Sequence, residues 1–421
     1  MSRERVAVIG SGVSGLTAAY LLQRRYDVLL FEADDRPGGH AHTHDVSTSD
    51  GSQLQVDTGF LVHNERTYPN LLRLFGELGV RTQPSEMSLS VRCRGCGLEY
   101  AGGRGPSGLF AAPLSAMRPA YLRMLVEMPR FQRDARRLLD DPRGDTATLG
   151  EFLDAGGYSR YFVQHLLLPL VSAVWSAGPA LGRRYPARYL FTFLRNHGLL
   201  AVRGSPQWRS VVGGSRSYVQ RAVKDLTAVH LSTPVRVVLR HADGVEVRDD
   251  GDESHVVDKV VIATHADRAL RLLGRPTEAE LRTLGAFAYS RNEAWLHRDA
   301  GVLPRARGAR ASWNYLKPSC DADPRGVLVS YDVNRLMRLR SPDEHVVTLN
   351  ATDRVDPERV IARMNYEHPI YTPESVVAQA ELPALNDAVT AYAGAYHGWG
   401  FHEDGCASGV RAAEAFGVSW T

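Results

Sequence analysis

A chain of 421 residues can bury a large core, and its length argues for two or three domains. With 44% hydrophobic and 23% charged residues the composition is that of a globular protein, and a net charge of +3 without a dense arginine block argues against nucleic acid as a partner. Lys224, Lys259 and Lys317 are the only lysines, which leaves few candidates for Schiff-base chemistry.

The first element predicted is the apolar run RVAVIG, residues 5–10, followed by the helical pattern VSGLTAAYLLQRR and a second apolar run, YDVLLFEAD. Strand, helix and strand in that order open a doubly wound sheet, so the fold class expected is α/β. Gly10, Gly12 and Gly15 occupy the strand-to-helix turn in GxGxxG spacing. There Gly10 permits a tight turn, Gly12 lets backbone approach a pyrophosphate, and Gly15 lets the helix pack on the strand. The phosphates would sit on the free N–H groups of a helix start, beside Ser14. Glu32 closes the second strand, 17 residues after Gly15, placed to accept hydrogen bonds from a ribose. The start, MSRERVAVIGSG, has no apolar leader, so a cytoplasmic location is expected.

Cys93, Cys96, Cys320 and Cys406 in a chain this long fit a reducing compartment rather than a disulfide framework. CRGC, from Cys93 to Cys96, has zinc-ribbon spacing, but no second CxxC or HxxxH pair completes four ligands. A local turn is the expectation, and no metal. Tyr161 to Gly182 carries no formal charge, but Gln164, His165, Pro169, Gly178 and Pro179 interrupt it. A buried helix is expected there, with contact at the surface of the inner membrane as the alternative. His165 reads as a satisfied core group.

From Val229 to Thr264 strands joined by turns end in the buried run KVVIATHA. The last block, AYAGAYHGWGFHEDGCASG, leads into a helical pattern. A nucleotide-binding domain is therefore expected in three pieces, residues 1–80, 205–270 and 385–421. An inserted α+β substrate domain would comprise 81–204, mainly helical, and 271–384, mainly antiparallel sheet.

After Glu32 comes ADDRPGGHAHTHD, with Arg36, Gly38, Gly39 and Thr43. This stretch resembles the R-x-G-G-R-x-x-T-like element of the flavin amine oxidase and phytoene desaturase superfamily, with His40 where an arginine is usual. VDTGFLVHN, VVGGSRSYVQRAV and KVVIATHADRAL resemble its later blocks, and the C-terminal block resembles the segment that passes under the isoalloxazine. The resemblance implies non-covalent FAD in a Rossmann-like domain and an oxidoreductase. It implies cofactor contacts at Gly10, Gly12, Ser14, Gly15, Glu32, Ala33, Arg36, Gly38, Gly39, His40 and Thr43. It extends them to Gly59, Phe60, Val235, Ala263, Thr264, Gly394, Phe401, His402, Glu403 and Asp404. Cys406, inside the helix start, is not expected to bond the flavin.

Two departures bear on chemistry. Ala395 and Tyr396 stand where an acidic residue commonly bonds the ribityl chain. Phe401 stands where amine oxidases place one tyrosine of an aromatic cage. SAVWS, FLRNHGLL, QWRSVVGGSRSYV and GFHEDGCASG also resemble a bacterial group of NAD/FAD-binding proteins often encoded beside cyclopropane-fatty-acid-synthase-like enzymes. That resemblance implies hydride transfer from an apolar carbon of a fatty acyl or similar lipid substrate to flavin N5, by desaturation or double-bond rearrangement. Amine oxidation to imine and peroxide stays open, as does a flavin-binding scaffold without turnover. His402 is the candidate acid/base, Phe401 a substrate contact and Lys317 a holder of a flavin-side water. Glu403 and Asp404 read as helix-start acids, with Asp404 as N-cap. The oligomeric state is open.

Overall fold

The computed structural model describes residues 3–142, 146–201, 204–321, 326–350 and 352–420. RVAVI forms strand β1 (Arg5–Ile9), helix α1 (Val13–Leu22) follows, and DVLLF forms β2 (Asp27–Phe31). Val6, Val8, Val28 and Leu30 belong to one apolar cluster, and Ala7, Ile9 and Phe31 to another. That alternation is the two-residue period of strands buried on both faces. Strands β3 (Ala228–His230), β4 (Lys259–Ile262) and β5 (Thr390–Tyr392) complete a parallel sheet in the order β3-β2-β1-β4-β5.

One face of this sheet is covered by α1 and by α3 (His402–Ala415), with α2 (Pro69–Glu77) packed against α3. The α1–α3 crossing needs glycine. A Cβ on Gly405 would lie 2.6 Å from Val13 Cγ1, and one on Gly409 would lie 2.3 Å from Ser14 O. Ser14 therefore serves helix packing as well as the first turn of α1. The other face carries the antiparallel strands Val235–His241, Gly244–Asp249 and Ser254–Val257, whose Val238, Val245 and Val247 fill the second cluster.

A seven-stranded sheet builds the rest. It runs Val360–Ile370, Ala288–His297, Val346–Leu349, Val329–Asp332, Trp313–Lys317, Leu89–Cys93, Leu98–Gly102. All its pairs are antiparallel except Trp313–Lys317 against Leu89–Cys93. Two strands of this sheet, Leu89–Cys93 and Leu98–Gly102, come from the stretch read as mainly helical. Helices Pro119–Asp140, Leu168–Trp175 and Ala187–Asn196 share one apolar core with this sheet.

The uncharged stretch from Tyr161 to Gly182 is helical as far as Trp175, with Phe162, Leu167, Leu168, Val171 and Trp175 in that core, and breaks at the left-handed Ser176 before a short helix, Pro179–Arg184. Among the described residues no helix is long and apolar enough to cross a membrane.

Candidate functional site

Strand register brings the distant sequence blocks to one edge. Ile9 pairs with Phe31 and Ile262, and Ile262 with Tyr392. Gly10, Glu32 and Ala263 thus each lie one residue beyond a strand end, and Gly394 two beyond. Strand order reverses at β1, where an open α/β sheet forms its ligand crevice.

Gly10 has φ +96°, and a Cβ there would lie 2.8 Å from Ala263 O. A Cβ on Gly15 would lie 1.9 Å from Gly10 O. Gly12 differs: it caps α1 without a side-chain bond, and a Cβ on it would meet nothing within 4 Å. Free N–H groups at the α1 start thus face an open cradle suited to a pyrophosphate. Glu32 accepts from Ser11 N at 2.9 Å, from the Ser11 hydroxyl and from Asp34 N at 3.0 Å. Gly38 N donates to Ser11 Oγ at 3.1 Å, and Arg36 Nη2 donates to Gly39 O at 2.9 Å. A Cβ on Gly39 would come within 3.3 Å of Gly12 Cα, so Gly39 closes the cradle from above. Ala33 is exposed at the rim, and Thr233 N donates to Glu32 O at 2.8 Å, two residues before Val235. Thr264 follows Ala263 at the end of β4, with its methyl 3.3 Å from where a Gly10 Cβ would stand.

Gly59 and Phe60 form the next wall. A Cβ on Gly59 would lie 2.2 Å from His40 O, and Phe60 N donates to that same carbonyl at 2.8 Å. His40 Nε2 and both ring nitrogens of His63 are buried without a protein partner. Burial, with His368 next in effect, holds the His40 imidazole well below its ordinary range. An open cradle at a helix start, a carboxylate one residue beyond β2 and orphaned imidazole nitrogens fit FAD.

Several site residues take other roles than expected. Thr43 gives its hydroxyl to Asp57 Oδ1 at 2.5 Å and accepts from Arg216 N at 2.9 Å, so its side chain links the Asp57 carboxylate to the start of the helix Arg216–Val223. Asp57 also accepts from Ser215 N and Oγ, and burial raises its carboxyl to about 6. Glu403 has both oxygens on the start of α2, at Asn70 N, Asn70 Nδ2 and Leu71 N, which makes it a helix-packing acid. Asp404 is not the N-cap. Phe401 holds that place, and Asp404, three residues on, reaches back to Phe401 N at 2.9 Å. Burial lifts its carboxyl to about 7.

His402 stacks on Phe60 and has Nε2 3.1 Å from Tyr218 Oη. Burial pulls its imidazole down to about 3, so it stays neutral where an acid/base would have to titrate. Lys317 pairs in register with Cys93 at the far sheet, and its ammonium donates to Gln164 Oε1 at 2.9 Å. That neighbourhood is the helical insertion rather than the glycine cradle. Cys406 is buried inside the helix start, its sulfur 3.4 Å from Thr17 Oγ1.

The C-terminal glycines shape a floor. Gly394 N donates to Ser408 Oγ at 2.9 Å, and Gly400 takes φ +92°. Over this floor stands an aromatic wall. Trp175 Nε1 donates to Trp399 O at 3.1 Å, and Tyr189 Oη donates to Gly398 O at 2.7 Å. Phe193 stacks on Phe401 with centroids 4.9 Å apart, and Tyr371 packs on Tyr189 at 5.2 Å. Of these residues sequence reasoning singled out Phe401 as a substrate contact, while Tyr189 stood only as the start of an apolar helix and Ser11, Tyr371 and His368 were missed. Tyr189 carried a signal, since it precedes Phe193 by one helical turn. The other three carried none, because their partners are distant in sequence or, for Ser11, already assigned to a turn.

Three of the cysteines form a second cluster. Cys93, Cys96 and Cys320 converge with His165, and their ligand atoms all lie within 4.8 Å of one another. Cys320 and His165 come from separate segments, where no spacing rule could have placed them beside CRGC.

Residues 13–349 match the family model of the flavin containing amine oxidoreductases. A candidate flavin-containing monoamine oxidase of Mycobacterium tuberculosis is 29% identical over 292 residues, covering 66% of this chain and 61% of the relative. A coproporphyrinogen III oxidase of Mycobacterium leprae is 26% identical over 289 residues, 65% of this chain and 62% of its own. The chain thus aligns with about three-fifths of the length of these relatives. Among solved structures, cyclohexylamine oxidase from Brevibacterium oxydans superposes with TM-score 0.69 at 16% identity over 98% of each chain. A fatty acid isomerase from P. acnes superposes with TM-score 0.68 at 14% identity, over 96% of this chain and 97% of its own. Identities this low speak to fold alone. The family match spans most of the chain and every block between α1 and β4, and the chain belongs to the flavin containing amine oxidoreductase family, whose cofactor is FAD.

Proposed function

We propose that this protein is an FAD-dependent oxidoreductase acting on an apolar carbon–hydrogen bond of a lipid-like, fatty acyl substrate, by desaturation or double-bond rearrangement. The aromatic wall is the observation that carries this reading. Trp175, Tyr189, Phe193, Tyr371, Trp399 and Phe401 carry no charge, and Phe401 adds no hydroxyl. Such a wall favours an alkyl chain by removing its surface from water. Trp399 Nε1, buried without a partner, offers one donor to a polar head.

When bound, FAD supplies the two-electron acceptor for the hydride. The protein's own part is binding, orientation and exclusion of water. The α1 start and Arg36 would hold the pyrophosphate, and Glu32 the ribose. The α3 start presents N–H groups and a positive dipole end to the crevice, favouring negative charge there. Asp404 keeps its burial-raised carboxyl behind the floor, bonded to Phe401 N, and acts on the loop rather than on substrate. The fold serves amine and fatty-acid chemistry alike, so the substrate reading rests on the wall and not on the fold.

A membrane surface would be the source of such a substrate. Leu114, Met117 and Val126 are 65%, 78% and 75% exposed, with Phe110 and Leu122 beside them. Arg118 and Arg123 lie among them, a pairing of apolar and basic groups that suits an anionic lipid surface.

The test is mass spectrometry of lipids that copurify with the yellow protein, then anaerobic bleaching with each. Bleaching by fatty acyl compounds, without peroxide from an amine panel, supports the reading. Imine and peroxide from amines would overturn it in favour of amine oxidation. Flavin that no donor reduces would make the protein a scaffold.

A further inference from the structure

We propose that Cys93, Cys96, Cys320 and His165 form a tetrahedral zinc site that staples the substrate domain. Cys93 ends the strand Leu89–Cys93, and CRGCG makes the turn into Leu98–Gly102. Gly97 N donates to Cys93 O at 2.9 Å, and Gly97 takes φ +69°. Backbone N–H groups point at the sulfurs, those of Gly95 and Cys96 at Cys93 and that of Leu98 at Cys96. Donors arranged so favour thiolates. Gly95 cannot be another residue without movement: its Cβ would stand 2.8 Å from Cys320 N and 3.0 Å from Ser319 Cα.

Parallel register delivers the third sulfur. Trp313–Lys317 runs beside Leu89–Cys93 with Lys317 opposite Cys93, and Arg94 N donates to Lys317 O at 2.9 Å. Cys320, three residues on, therefore arrives at the same level, with its Sγ 3.8 Å from Cys93 Sγ. The fourth ligand comes from the π-helical turn Val163–Leu167, a wide turn of the kind that often re-aims a functional side chain. His165 Nε2 lies 3.7 Å from Cys96 Sγ. Its Nδ1 lies 3.2 Å from Tyr161 O, and in the tautomer with the hydrogen on Nδ1 that carbonyl accepts a hydrogen bond and the Nε2 lone pair is left for a metal. Tyr100 Oη donates to His165 O at 2.8 Å and fixes that turn.

The distances fit a tetrahedral ion of the size of zinc. Zinc–sulfur bonds of about 2.3 Å and zinc–nitrogen bonds of about 2.0 Å set tetrahedron edges of roughly 3.8 Å between sulfurs and roughly 3.5 Å from sulfur to nitrogen. The observed 3.8 and 3.7 Å match those edges. A disulfide needs sulfurs at about 2.0 Å and would strand Cys96 and His165. Three thiolates and an imidazole select zinc among common divalent ions, and four protein ligands make a closed, structural site. Gln164, next to His165, receives the Lys317 ammonium, and the same helix carries Trp175 to the aromatic wall. Three separate segments are thus joined where no other covalent link among the described residues holds them.

The test uses the full-length yellow protein, purified without a histidine tag or chelator. Elemental analysis should give one zinc per chain, and X-ray absorption should give three sulfurs at about 2.3 Å and one nitrogen at about 2.0 Å. Cys96→Ser and His165→Ala should each lower zinc content at least tenfold. Should those variants fail to fold, mercurial titration of the wild-type protein should release zinc in step with three thiols while FAD stays bound. Wild-type protein without zinc whose thiols all titrate freely, or a Cys93–Cys320 disulfide in its mass spectrum, would overturn the proposal.

Discussion

His402 lies flat on Phe60, with ring centroids 3.7 Å apart and planes 10° from parallel. The contact joins the first residue of α3 to a loop some 340 positions earlier, and Tyr218 Oη, 3.1 Å from Nε2, completes the seat. Burial holds the ring at about 3 in the folded protein, against 6.5 unfolded. A depressed value means that this stability is complete above about 6.5 and is lost as pH falls toward 3. His402→Phe should keep the stack and retain FAD. It should leave the pH profile of flavin bleaching between about 5 and 9 unchanged, since no titration is lost there. Stability should drop by about 1–3 kcal/mol, because Tyr218 loses its partner. A lost limb in that profile would restore His402 as an acid/base.

Gly12 and Gly15 should separate binding from folding. Gly12→Val points into open space at φ −62°, so the apoprotein should keep its Tm while affinity for FAD falls by tenfold or more. Gly15→Val drives a Cβ to within 1.9 Å of Gly10 O and should abolish soluble expression. Absorbance of bound flavin and a thermal melt read both effects.

Asp404 should reveal itself through pH. Its folded value near 7 against 3.8 unfolded means that its contribution is complete below about 3.8 and is lost as pH rises through 7. Relative to the wild type, Asp404→Asn should therefore gain stability from pH 5 to 7, on the order of 2 kcal/mol, and level off above. Denaturant melts at a series of pH values measure the difference, and a flat difference would contradict the burial argument.

Trp175→Phe removes the bond to Trp399 O while keeping most of the aromatic surface. A loss of about 1 kcal/mol in wall stability corresponds to a rise in KM of about fivefold, with FAD occupancy unchanged. Steady-state kinetics with the copurifying lipid check it.

Met117→Glu combined with Val126→Glu should weaken binding to anionic vesicles by about tenfold. Both side chains are exposed, at 78% and 75%, so Tm should hold within about a degree. Vesicle sedimentation and a melt of the same sample give both numbers.

The nucleotide-binding half was legible because its signals are local. Gly10, Gly12, Gly15 and Glu32 sit at fixed offsets from strand ends, and the alternating apolar runs announce those strands. The substrate half was read less well. Nothing in Leu89–Cys93 says that its neighbour will be Trp313–Lys317, more than 200 residues away and parallel. The sheet therefore crossed a boundary that periodicity had placed between helical and sheet stretches.

Local spacing and periodicity thus determined the α/β class, the glycine cradle, the ribose acid and the family that uses them. Those features depend on backbone geometry within a few residues. Tertiary packing decided what each polar group became. Burial made His402 a neutral ring on Phe60 and raised the Asp404 carboxyl to about 7, while Phe401 took the helix cap. Register and one π-helical turn brought Cys320 and His165 beside the two cysteines of CRGC. Desolvation and long-range register are properties of what surrounds a residue, and those surroundings come from segments that are remote in the sequence.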